Sequence, residues 1–126
     1  MGQASIFHGV RPTRFLDTRL ASGKLAGHST YDLDIRYVVS DYASDAAQAI
    51  AANITVTDPQ TNGYVTVYPD DATTRPNTSV VNFGPSQTIP NATTVGVANH
   101  DYGGIDLYNG SAGRIDLVVD VFGYYC

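Results

Sequence analysis

The hexapeptide Arg14-Phe15-Leu16-Asp17-Thr18-Arg19 sets one carboxylate between two guanidinium groups. Arginine presents a planar fork of N–H donors that can meet a carboxylate with two bonds at once. Such a cluster has two uses. Arg14 and Arg19 can hold an acidic ligand, or Asp17 can take them both and fix the N-terminal segment against the rest of the fold. The structural clip is the expectation, because Arg–carboxylate pairs commonly serve as one.

The other acidic residues invite a glycosidase or a metal reading. Asp32 and Asp34 share a strand face, as do Asp116 and Asp120. Glycoside hydrolysis needs two carboxyl groups facing each other across a cleft, and Asp is the only acid this chain has. Calcium needs several oxygens converging on one point; Asp70 and Asp71 could contribute from a loop, but no EF-hand pattern is present. Solvated strand faces and turns account for these aspartates, and no metal site is expected. His8, His28 and His100 lack ligand spacing. There is no Gly-x-Ser-x-Gly elbow and no glycine-rich phosphate loop. Neither catalytic residues nor a cofactor are expected.

Nine tyrosines are the more informative feature. Tyr64, Tyr68, Tyr102, Tyr108, Tyr124 and Tyr125 sit in or beside turns. Exposed Tyr next to Asn, Asp and Thr suits a sugar site or a protein interface. The expected binding surface is Tyr64, Tyr68, Asp70, Asp71, Tyr102, Tyr108 and Asn109. The competing expectation is that most of these rings plug the ends of the fold.

The elements that would carry these residues are strands. The 12 acidic residues are all Asp, and Lys24 is the single lysine beside six arginines. Good helix formers are thus scarce, and turn and strand residues take their place. Tyr31 to Val39 alternates apolar and polar residues, as does Ala49 to Thr57. Asp58 to Gly63 is a strong turn signal and is expected to close a hairpin onto Tyr64 to Tyr68. Further strands are expected at Ser79 to Phe83, Thr93 to Ala98, Ile105 to Tyr108 and Arg114 to Phe122, the last two joined as a hairpin through 109–113. The last strand is apolar on both faces in part and should be central. Asp41 to Gln48 alone has helical character.

A faint echo runs through the chain. Asn53 to Val56, Gly63 to Tyr68 and Val80 to Phe83 are followed about 40 residues later by Asn91 to Thr94, Gly104 to Tyr108 and Val118 to Val121. The expected fold is all-β: an antiparallel, jelly-roll-like sandwich of about eight short strands. A β-trefoil is the alternative, for which a third copy of the echo is wanting. A length of 126 residues fits one domain, with residues 1–11 as a possible extended N-terminal arm.

Net charge and cysteine use exclude some classes. A formal charge of −5 argues against nucleic acid and anionic lipid as partners. No apolar run is long enough for membrane insertion as a helix. Cys126 is the single cysteine, so no internal disulfide forms, and an inert thiol is expected there. The N-terminus has no basic stretch followed by an apolar one, so no export signal is expected.

Taken together, the motifs resemble a β-rich accessory domain of actinobacterial secreted and surface proteins and of structural proteins of their phages. The resemblance rests on Arg14 to Arg19, the Asn53-Ile54-Thr55-Val56 strand, Gly63 to Pro69 and the closing Asp120-Val121-Phe122-Gly123-Tyr124-Tyr125. Asn82-Phe83, Asn91 and Leu107 to Gly110 also fall in order, so it spans nearly the whole chain. It implies a module without an assigned reaction. The domain is expected to begin almost at Met1 and end at Cys126, and so to stand alone. The first functional expectation is a phage virion surface protein, a capsid decoration or tail accessory protein. It would bind a protein lattice, self-associate and contact the host surface. The alternative is a carbohydrate-binding or adhesion module at the cell surface, with a glycan as partner.

Overall fold

A computed structural model describes residues 6–20, 22–35, 48–98 and 104–125. It contains β1 (Phe7–Asp17), β2 (Thr30–Asp34), β3 (Ala49–Thr57), β4 (Gly63–Pro69), β5 (Val81–Phe83), β6 (Ile89–Gly96), β7 (Gly104–Asn109) and β8 (Asp116–Tyr125). There is no helix among the described residues. The strands form two four-stranded antiparallel sheets, ordered β1-β8-β3-β6 and β2-β7-β4-β5. The chain changes sheet at every connection except β4 to β5 and is thereby wound as a jelly roll. The sandwich expectation holds, and the trefoil alternative is set aside.

Alternation builds the core between the sheets. Ile50, Ala52, Ile54 and Val56 of β3 meet Leu117, Val119 and Val121 of β8, and all seven are fully buried. Val65, Val81, Ile105 and Leu107 face them from the second sheet. β8 is central, between β1 and β3, as its apolar composition requires.

Both expected hairpins are corrected. β3 and β4 flank the 58–63 turn but lie in different sheets, and so do β7 and β8 around 109–113. Turn chemistry is the same whether the next strand pairs with the last or crosses over it, so the turns are found where expected and their destinations are not. In two of the echo's three members the matched strands are neighbours, β3 with β6 and β4 with β7, but β5 and β8 lie in different sheets. β1 is an addition. Residues 7–11, expected as an arm, are extended but seated on β8, with Phe7 opposite Tyr125 and Gly9 opposite Gly123. The expected helical turn lies, except for Gln48, outside the described residues, as do residues 36–39 of the expected first strand.

Candidate functional site

The Arg14 to Arg19 motif folds as a latch between β1 and β8. Asp17 is 8% exposed, and Arg19 grips it with Nε at 2.9 Å and Nη2 at 2.8 Å. The Arg19 backbone N–H and Arg14 Nη1 also donate to Asp17. Arg14 in turn holds Asp120, opposite it on β8, at 2.9 Å. The Arg19 side chain, aided by its backbone amide, holds the Asp17 carboxyl down at about 2 against the cost of burial. Beside it, fully buried Thr18 donates to Asp116 Oδ1 at 2.7 Å and accepts from the Leu117 N–H at 2.9 Å. Lys24 Nζ closes on the other oxygen of Asp116 at 3.1 Å. Within this cluster each charge is met by an opposite one, the arrangement of a structural clip.

Asn109 is equally committed. It is fully buried at the end of β7 and holds the 109–113 turn to the 25–26 backbone. It is removed from the expected binding surface.

The outer face of the second sheet carries most of the remaining candidates. Register places Tyr108 between Thr30 and Thr66, and Asp106 between Asp32 and Tyr68. Tyr68, Tyr108 and Thr66 share this outer face yet are buried, and the 70–80 segment folds back over Thr66 and Tyr108. Thr66 Oγ1 donates to the Thr78 carbonyl at 2.6 Å, and the Arg75 guanidinium lies 3.6 Å from the Tyr108 ring centroid. Tyr64 stays 37% exposed, its ring 6.3 Å from that of Tyr108. A Cβ on Gly110 would sit 2.2 Å from the Tyr64 ring, so glycine there lets the ring lie across the turn. A groove of about 290 Å³ opens beside it, lined by Tyr64, Arg75, Asn77 and Asn82 among others.

At the far end of the same face, Asp32, Asp70 and Asp106 converge, with carboxylate oxygens within 4.8 Å of one another. Oxygen ligands so spaced are those that hard divalent cations accept. Burial, then a hydrogen bond to Asp32 and the charges of Asp32 and Asp70, push Asp106 up to about 6. The folded state therefore keeps a proton that the unfolded state has released, and stability falls as pH rises from about 4 to 6. Replacing Asp106 by Asn is expected to flatten that fall and to raise stability at pH 7.5 by about 1 kcal/mol, partial exposure screening the rest. Thermal unfolding across pH 4–8 checks this, and parallel curves for the two proteins would contradict it.

The first sheet presents a different surface. Phe7 is 46% and Ile6 64% exposed. The Phe7 ring packs on Tyr125 at 5.2 Å and lies over Gly123, where a Cβ would meet it at 2.3 Å. Phe122 is an extra residue in β8 opposite β3, since Val121 and Gly123 pair with consecutive Ala52 and Ala51. Phe7, Phe122, Tyr125, Ala51 and Ala92 line a shallow, largely apolar depression of about 340 Å³.

No protein-family model matches the chain, and no curated protein matches it either.

The expected binding surface is thus divided. Tyr64 lines the groove, Tyr108 is buried with its ring 6.3 Å from that of Tyr64, Asp70 joins the acidic trio, Tyr68 is buried, and Asp71 is exposed in the 70–80 segment. Tyr102 lies outside the described residues. Arg75, Asn82, Asp106 and the Phe7 face were not legible as site residues. Asp106 alone had a signal, standing on a strand whose alternate residues are apolar.

Proposed function

We propose that the chain is a non-catalytic interaction module, a virion surface protein that self-associates and seats on a capsid or tail lattice. The observation that carries this reading is the apolar face around Phe7. Ile6 and Phe7 are two of the four large apolar side chains exposed among the described residues, and they adjoin at the start of β1. Among the described residues β1 is also an edge strand, and the edge of a sheet is a template for pairing with another chain. An apolar patch next to an open edge fits burial against another protein. A second copy offers the same patch and edge about a two-fold axis. Pro12 lacks an N–H and would confine such pairing to the Phe7 half of the strand.

Two further points support the reading. The motif resemblance is to modules without an assigned reaction. The Arg14 to Arg19 cluster and the Asp116 and Asp120 carboxylates are consumed by ion pairs and hydrogen bonds. Sedimentation velocity of Phe7→Ser tests the face. The wild type is expected to sediment as an assembly, and the variant as a folded monomer with the same circular dichroism. An assembled Phe7→Ser protein would place the contact elsewhere.

A further inference from the structure

We infer that the groove between Tyr64 and Arg75 is a binding site for a single carboxylated sugar residue, a uronic acid in chemical class. The inference is independent of the Phe7 face, which lies on the other sheet.

Arg75 carries the argument. Its guanidinium is stacked 3.6 Å from the Tyr108 ring centroid, and the Tyr108 hydroxyl lies 3.3 Å from His28 Nδ1, which steadies the platform. Stacking uses the flat face of the guanidinium and leaves its N–H edge for a ligand. Unlike Arg14 and Arg19, Arg75 enters no salt bridge among the described residues. A pre-oriented fork without an internal carboxylate is matched by a carboxylate from outside.

The rest of the groove selects a sugar over a plain anion. Tyr64, held over Gly110, offers a partly exposed ring on which the C–H face of a pyranose can pack. Asn82 stands directly opposite Tyr64 on β5, and Asn77, Thr78 and Ser79 line the wall. Their amides and hydroxyls give both donors and acceptors, as a ring of hydroxyls needs. The segment that forms this wall is tied down by the Thr66 to Thr78 bond and, just beyond it, by Asn91 Nδ2 donating to the Val80 carbonyl at 2.6 Å. A volume of about 290 Å³ is at the small end for ligand pockets and suits one sugar residue.

The test is a ¹H–¹⁵N titration of the full chain with glucuronic acid, with glucose and acetate in parallel. Expected are saturable shifts at the Tyr64, Thr78 and Asn82 amides, with a dissociation constant of roughly millimolar order. Arg75→Gln should weaken binding about tenfold or more. Asn82→Ala, which leaves the Arg75 stack alone, should also weaken it, as should Gly110→Ala through displacement of the Tyr64 ring. Spectra that superimpose away from the groove show that each variant is folded. The inference is overturned if glucuronic acid gives no saturable shift at these amides, or if Arg75→Gln and Asn82→Ala both titrate as the wild type. It is equally overturned if acetate or glucose binds as tightly as glucuronic acid.

Discussion

Replacing Asn109 by Ala lowers the unfolding free energy by about 4 kcal/mol, a large share of the stability of a domain this size. The amide is fully buried and every polar atom on it is used. Nδ2 donates to the carbonyls of Gly113 at 2.9 Å, Ala26 at 3.1 Å and Leu25 at 3.2 Å. Oδ1 accepts from the Ser111 N–H at 3.0 Å and from Ser111 Oγ at 2.7 Å. Alanine strips these partners at once and leaves buried groups unmet, each of which costs more than a hydrogen bond is worth on average. Asn109→Asp has the same shape and fares no better at neutral pH, because its second oxygen faces three carbonyl oxygens. Lowering the pH restores one donor and should narrow the gap. Urea unfolding gives the result as a lower midpoint at unchanged slope. A loss below about 1 kcal/mol would mean that Asn109 behaves as an ordinary surface turn residue.

Thr18→Val is the second large effect, at about 2 kcal/mol. The two side chains have nearly the same volume, so the change is chemical. Valine removes the acceptor for the buried Leu117 N–H and the donor to Asp116. Asp116 keeps its ion pair with Lys24, and the clip between β1 and β8 loses its inner half. Thr18→Ser keeps both bonds and should recover most of the loss. Chemical denaturation of the three proteins decides the matter: equal stability of the Thr and Val forms would remove Thr18 from the latch.

These two positions show what was legible and what was not. The strand at 49–57 announces itself because one face is buried and the other mostly is not, which writes a period of two into the residues. β1 has no such signature: Gly9 and Pro12 read as breakers, and most of Phe7 to Arg14 stays exposed. Its place is set by a backbone ladder to β8, more than a hundred residues away in sequence, where local patterns carry no information. The Arg14 to Arg19 clip was readable because its charges are adjacent in the chain.

The acidic trio was not readable. Asp32 and Asp106 become neighbours only through antiparallel register, and Asp70 joins them from beyond the end of β4. Asn109 misleads for a related reason. Asn-Gly marks a turn, and turns are usually wet, but this one is folded inward onto the carbonyls of Leu25 and Ala26. Tyr108 reads as an exposed aromatic until the 70–80 segment returns and lays Arg75 across it.

The mass of the protein in solution tests the proposed self-association most directly. Light scattering on the purified chain, with and without reductant to exclude a bridge through Cys126, is expected to give an integral multiple of 13.4 kDa that reductant does not change. A mass of 13.4 kDa under both conditions would contradict the account and leave the Phe7 face without its second copy.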